Sequence, residues 1–307
     1  MKAEEFDSTL AERTKEAEEI IRKYLPAEEG LQADVIKAMN YSVLAGGKRL
    51  RPVLMQEVYR ICGGSPGIAI ERFMAAIEMI HTYSLVHDDL PAMDNDEERR
   101  GKKTTWYVYG EALGILSGDG LLNYAFETAI GAFASLEEKK AADRNVMLER
   151  IAESLRVLAA KAGIYGMIGG QARDISSETE TSAETLQFIH EHKTAALIQA
   201  AMMIGAILAG ADRGQAAALE MCAYKIGLAF QIQDDILDVV GEKDELGKPT
   251  GSDAFHHKQT YVTVMGMEQS RRDVDRLSQE AVALLDAFPG EKEFLVQLIL
   301  SLTKRRK

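Results

Sequence analysis

The chain has 307 residues, 46% of them hydrophobic and 27% charged, with a formal net charge of -12. That balance excludes a disordered or fibrous chain and suits a globular protein able to bury a sizeable core, with one domain over residues 1–307 as the expectation. It also excludes a general nucleic-acid binder, whose footprint is a broad basic surface, so any anionic ligand must be met by a local basic pocket.

In chain order, apolar residues recurring at helical spacing predict helices over 4–24, 31–45, 51–62, 66–90, 107–136, 144–162, 183–210, 214–241, 268–287 and 291–303. Ile68, Phe73, Ala76, Ile77 and Ile80 mark one such face, and Leu121, Leu122, Ala125, Phe126 and Ala129 another. All six prolines fall near helix edges and no alternating strand pattern competes, so the fold class read from the residues is all-α. Loops are expected at 63–66, 91–105, 176–182 and 241–259, and no Gly/Ser-rich or Pro-rich tether separates two halves.

Met1 to Tyr24 is charged and heptad-like and does not read as a secretory signal. Ala195 to Ala211 is nearly free of charge, yet it is shorter than the ~20 residues a membrane span needs and reads as a buried core helix. Cys62 and Cys222 have no partner at metal-ligand spacing and read as buried free thiols of a reducing, cytoplasmic compartment.

Two acidic clusters close apolar helices. The first is His87-Asp88-Asp89-Leu90-Pro91-Ala92-Met93-Asp94, where Pro91 restricts Leu90 and stops the helix. The second is Gln231-Ile232-Gln233-Asp234-Asp235-Ile236-Leu237-Asp238, in which Asp234 and Asp238 share a helix face. Carboxylates at the negative end of a helix dipole are unfavourable unless a cation compensates them. Mg2+ takes one or two carboxylates plus water and phosphate oxygens, so paired aspartates suit a platform for a diphosphate. A single Asp-Asp pair is most simply a solvated helix end; two pairs, each with a third aspartate, point to metal. Basic residues concentrate at Gly46-Gly47-Lys48-Arg49-Leu50-Arg51-Pro52 and at Arg99-Arg100-Gly101-Lys102-Lys103. Glycine admits close backbone approach to an anion, and arginine bonds phosphate oxygens in a bidentate fork.

With these residues in view, the chain resembles the trans-isoprenyl diphosphate synthases, the polyprenyl synthetase family, and within it the bacterial farnesyl diphosphate synthase type. The resemblance is densest from Tyr41 to Tyr261, and its further marks are Gly169-Gly170-Gln171 and Lys193-Thr194. It implies a single-domain helical bundle around a central active-site cavity, usually a homodimer. By position, it implies that Lys48, Arg51, His81 and Arg100 bind isopentenyl diphosphate, and that Asp88, Asp89, Asp94, Asp234, Asp235 and Asp238 hold Mg2+, three ions with substrate bound. Arg99, Lys193, Lys248 and Lys258 would hold the allylic diphosphate, with Thr194 and Gln231 at the reacting carbons; Arg99, Lys193, Thr194 and Gln231 are the expected catalytic set. Tyr83, five residues before Asp88, with Ser84 beside it, resembles the aromatic that limits the product to fifteen carbons.

The implied activity is head-to-tail condensation of isopentenyl diphosphate with dimethylallyl and geranyl diphosphate to give (2E,6E)-farnesyl diphosphate. Alternatives are a geranylgeranyl diphosphate synthase, a class I terpene cyclase, which usually carries an Asn/Ser/Glu metal motif in place of Asp234 to Asp238, and a noncatalytic helical scaffold. One departure from the family is Lys103-Thr104-Thr105-Trp106, where relatives usually show Pro-Thr-Asn-His. The tail Lys304-Arg305-Arg306-Lys307 either folds over the homoallylic diphosphate or is frayed and solvated.

Overall fold

A computed structural model describes residues 1–137, 140–176, 182–240, 260–288 and 290–303. Among them the chain is helical apart from one two-stranded hairpin. Residues Ala11–Gln56 and Ser65–Leu155 form one compact unit; Met1–Leu10, Glu57–Gly64 and Arg156–Lys307 form the other.

The first of these units contains most of α1 (Ala3–Lys23), α2 (Ala33–Val43), the start of α3 (Leu50–Ile61), α4 (Ile68–Asp88), β1 (Glu98–Arg99), β2 (Lys102–Lys103), α5 (Thr105–Tyr109), α6 (Glu111–Ile130) and most of α7 (Ala141–Ala162). Helix α4 is its centre. Phe73, Met74, Ile77, Met79 and Ile80 are fully buried around its circumference, as expected of a helix apolar on every side. Its most extensive partner is α6, which offers Gly118 at the contact. A Cβ on Gly118 would strike the His87 ring, so the bare backbone sets how closely the two helices pack at the end that bears the first acidic cluster.

The other unit contains α8 (Met167–Ile175), α9 (Ala183–Ile189), a π-helical turn (His190–Ala195), α10 (Ala196–Ala209), α11 (Arg213–Val240), α12 (Tyr261–Met265), α13 (Met267–Leu284) and α14 (Glu293–Thr303). Helix α11 packs chiefly on α13 and α10, and Leu228, Ala229, Ile232, Ile236, Val274 and Leu277 form part of this core. The run Ala183–Ala209 is long and apolar enough to cross a membrane, but 67% of its most apolar window is buried inside the protein, in keeping with a core helix.

The periodicity missed four features. Gly110, with φ +87°, splits the long helix expected over 107–136 into α5 and α6 and gives way to a 3-10 turn at Gly131–Leu136. Helix α8 was hidden by its glycines, and α12 by its length of five residues. The expected loop over 91–105 contains the hairpin, whose Arg100 and Gly101 both have positive φ, the conformation a two-residue hairpin turn requires. Cys62 is half-buried where burial was expected, whereas Cys222 is buried; burial pushes the thiols up to about 11 and about 12 respectively, so both stay protonated at neutral pH.

Candidate active site

In the first unit, α4 unwinds immediately after the first aspartate pair. The chain then turns through Pro91 and the left-handed Asn95, with the Asp94 amide donating to the Asp88 carbonyl at 2.9 Å and the Asn95 amide to the Leu90 carbonyl at 3.0 Å. The four residues between Asp89 and Asp94 thus form a closed turn that returns the third aspartate to the helix end. Asp89 is buried, and Arg99 holds it through Nε and Nη2, both 2.6 Å from Oδ1; Arg99 Nη2 also lies 3.4 Å from Asp96. Burial alone would lower the Arg99 pKa, but Asp89, Asp96 and Asp88 together raise it. Asp88 is half-buried and Asp94 exposed.

The stretch where the family pattern is partly lost braces this turn. Thr104 Oγ1 and Trp106 Nε1 both donate to the Asp96 carbonyl, at 2.8 and 2.9 Å; Tyr41 Oη donates to the Lys103 carbonyl at 2.7 Å, and the Ser42 and Thr105 hydroxyls lie 2.6 Å apart. A small cleft of about 30 Å³, partly open to solvent, lies among Tyr41, Ser42, Asp89, Arg99, Arg100 and Thr105.

The two basic runs meet. Arg100 Nη1 donates to the Gly46 carbonyl, and its guanidinium fills the space a side chain on Gly47 would take. Gly46 and Gly47 have φ of +91° and +140°, so the loop depends on glycine at both positions. Arg51 lies at the start of α3 with its Nε buried; burial first, and Arg100 second, lower its pKa to about 10 against the opposing pull of Glu78, which still leaves it charged at neutral pH. His81 lies on α4 within the field of Arg51, Arg100, Arg99 and Arg49. Burial and these four charges hold it well below the usual histidine range, so it is a neutral imidazole at pH 7. Lys48 is exposed. Arg51, His81 and Arg100 therefore share one basic cluster within this unit, as required of an anion site in an acidic chain.

Tyr83 is 5% exposed and stands edge-on to His87, with ring centroids 5.8 Å apart. Its hydroxyl is buried without a hydrogen-bond partner, and burial, with Asp88 second, pushes it up to about 12. Ser84 turns its hydroxyl back onto the His81 carbonyl at 2.9 Å.

In the other unit, Lys193 and Thr194 lie in the π-helical turn, a backbone form often found at functional sites. Glycines flank this turn: a Cβ on Gly170 would strike the Lys193 backbone nitrogen, and one on Gly227 would strike Ala195. Lys193 Nζ bonds Asp174 at 2.7 Å, and Thr194 Oγ1 donates to Gln231 Oε1 at 2.9 Å. Gln231 Nε2 reaches Asp235 at 3.4 Å. Asp235, 5% exposed, also accepts the Tyr261 amide at 2.7 Å and lies 3.9 Å from the buried His190, whose pKa burial lowers to about 4. Asp234 and Asp238 are half-buried on the last turns of α11. Lys248, Lys258 and the tail from Lys304 to Lys307 lie outside the described residues.

The donor set at both helix ends is carboxylate oxygen, which fits a hard cation such as Mg2+. Among the described residues no group of three His, Cys, Asp or Glu side chains converges on one point, so the three aspartates of each cluster are not brought together as a ready-made metal site. Sequence reading missed Glu78, Asp174 and His190 and placed Arg49 only within a basic run, because their partners lie far along the chain and leave no local pattern.

Comparison with known proteins agrees with this geometry. Residues 32–296 match the polyprenyl synthetase family. A farnesyl diphosphate synthase of Geobacillus stearothermophilus is 43% identical over 264 residues, 84% of each chain. A geranylgeranyl diphosphate synthase of Cyanophora paradoxa is 43% identical over 274 residues, 89% of this chain and 87% of that one. The crystal structure of an FPP/GFPP synthase from Zymomonas mobilis superposes with a TM-score of 0.82 at 32% identity, covering 97% of this chain and 98% of that one. A helical fold, two aspartate-bearing helix ends, a basic cluster set on a glycine loop, and a family match across most of the chain lead to one conclusion: the chain belongs to the polyprenyl synthetase family, the trans-prenyl diphosphate synthases, whose members are prenyltransferases acting on isoprenyl diphosphates.

Proposed function

We propose that the chain condenses isopentenyl diphosphate with dimethylallyl and then geranyl diphosphate to release farnesyl diphosphate, as a Mg2+-dependent, cytoplasmic homodimer. The observation that carries the reading is the cluster of Arg51, Arg100 and neutral His81 in a chain of net charge -12, in the same unit as an aspartate-bearing helix end. Two different anion sites follow from it. Arg51 and Arg100, with Lys48, take the homoallylic diphosphate by direct charge-assisted bonds, and His81, uncharged, offers a ring N–H to an oxygen. In one unit Asp88 and Asp94 would hold Mg2+ with Asp89 supporting from its buried position, and in the other Asp234 and Asp238 would do so with Asp235 supporting; Mg2+ held by such carboxylates would supply charge to neutralise a departing diphosphate.

Arg99 and Lys193 add charge to the same leaving group, and Lys248 and Lys258 are assigned to it from the family pattern. The hydrogen-bonded Thr194 hydroxyl and Gln231 amide present fixed dipoles to the allylic carbon as positive charge develops. The isopentenyl double bond attacks that carbon through C4 as the allylic C–O bond breaks, the positive charge passes to C3 of the isopentenyl unit, and a proton leaves its C2 to form the new double bond, with diphosphate as the base. No protein nucleophile takes part. Tyr83, with Ser84 beside it, limits the space for the growing chain. The free thiols Cys62 and Cys222 suit a reducing cytoplasm, and the exposed Ile115, Leu116 and Ile130 of α6 suit pairing of two copies.

A second reading, a geranylgeranyl product, has support in the 43% identity to the Cyanophora paradoxa enzyme. Incubation with isopentenyl diphosphate, labelled dimethylallyl or geranyl diphosphate and Mg2+ tests both. A linear fifteen-carbon product with diphosphate release, abolished by a chelator and restored by Mg2+, is expected. A mainly twenty-carbon product selects the second reading, and a cyclic hydrocarbon or no turnover overturns both.

A further inference from the structure

Glu78 lies inside α4, one turn before His81, and is 2% exposed. A carboxylate buried this deeply needs a compensating charge. Arg49, itself buried, supplies it: Nη1 donates to Glu78 Oε1 at 2.9 Å, Nη2 donates to the Val43 carbonyl at 2.7 Å, and Nε lies 3.5 Å from Glu18. Arg49 has φ of +47°, a left-handed conformation that a long side chain adopts only where its surroundings impose it. It closes the loop whose Gly46 carbonyl receives Arg100, and Arg51 follows two residues later. Glu78 is thus tied to the positions of Arg100 and Arg51 through one side chain and one turn of backbone. It also opposes the effect of burial on both of those arginines, more strongly than Asp89 does on Arg100. Its second oxygen, Oε2, is buried without a hydrogen-bond partner.

A carboxylate does not bind a diphosphate, so Glu78 has no part as a direct ligand. We infer that Glu78 is a positioning residue for the homoallylic diphosphate site: clamped to Arg49, it holds the glycine loop in its left-handed form and sets the placement of Arg51 and Arg100. This rests on the assignment of that cluster to isopentenyl diphosphate.

The test uses the full chain with Glu78→Gln, Glu78→Asp and the double variant Arg49→Met/Glu78→Leu, the last removing both charges so that no buried ion is stranded. Steady-state kinetics give KM for each substrate separately, and calorimetric titration of isopentenyl diphosphate alone reads the site without turnover. Glu78→Gln is expected to raise KM for isopentenyl diphosphate about tenfold, equivalent to about 1.4 kcal/mol, with KM for the allylic substrate moving less than about twofold. Glu78→Asp, which keeps the charge, recovers most of that loss, and the double variant keeps the isopentenyl defect because the loop has lost its clamp. An unchanged KM for isopentenyl diphosphate, or an equal rise in both KM values, overturns the inference; if Glu78→Gln does not fold, the double variant decides by the same criterion. Failure of the wild type to form any prenyl product is a different result: it sinks the proposed reaction and leaves the titration to judge Glu78.

Discussion

Tyr83 and His81 lie two residues apart on α4 and are governed by opposite consequences of burial. The Tyr83 hydroxyl has been taken from water without gaining a partner, an arrangement that costs free energy and persists where the ring's bulk is needed. Tyr83→Ala is expected to shift the product distribution from fifteen carbons to twenty and longer, read by chromatography of the dephosphorylated products; an unchanged distribution means the ring does not limit chain length. His81 bears on stability. Its folded-state pKa lies well below that of the unfolded chain, ~6.5, so as pH falls through that value the unfolded chain takes up the proton first. The stability contribution of neutral His81 is therefore fully present above about pH 6.5 and is lost as pH falls from there toward the depressed folded-state value. Urea unfolding between pH 7.5 and 5.5 should show wild-type stability falling more steeply than that of His81→Gln, by the equivalent of about one proton. Parallel pH profiles would remove His81 from the account. Both residues were singled out by the family resemblance, but that His81 is neutral could not be read from it, because the arginines responsible come from two separate segments, 46–52 and 99–103.

At the scale of elements, the π-helical turn and the hairpin matter most, and both are cases where tertiary contact overrides local preference. The π turn interrupts what reads in the sequence as one uninterrupted helix over 183–210, and it carries Lys193 and Thr194. Nothing in its composition marks it; the constraint comes from Gly170 and Gly227 on neighbouring helices, whose missing side chains let the wider turn fit. Gly170→Ala sets a methyl group against the Lys193 backbone, which cannot move aside as a flexible side chain can. A loss of about 1–3 kcal/mol in urea unfolding is expected, accompanied by a fall in turnover. Wild-type stability and rate together would show that the turn tolerates displacement. The hairpin illustrates the same limit: strands of two residues carry no readable alternation, yet Arg100-Gly101 is a turn dipeptide whose positive φ values aim Arg100 at the Gly46 carbonyl. The substituted stretch Lys103 to Trp106, which weakened the family pattern, proves to hold the loop through Asp96.

For the whole molecule, helical periodicity and proline placement were enough to predict an almost wholly helical chain, because amphipathic or all-round apolar patterning is a local property written at fixed spacing. The aspartate pairs, the glycine and arginine runs and the Lys-Thr pair were legible for the same reason: each is a short contiguous motif. Which of those residues are bound to one another was not legible. Asp89 and Asp235 look equivalent to their neighbours in sequence, yet one is held by Arg99 and the other is buried against Gln231, Tyr261 and His190. Glu78 looked like an ordinary helix residue and is the buried partner of Arg49. The sequence by itself determined the helical class and the family, since these depend on residue type and local period. The tertiary structure decided charge states, buried pairings and the π turn, since these depend on partners tens of residues away and on how much water is excluded when they meet.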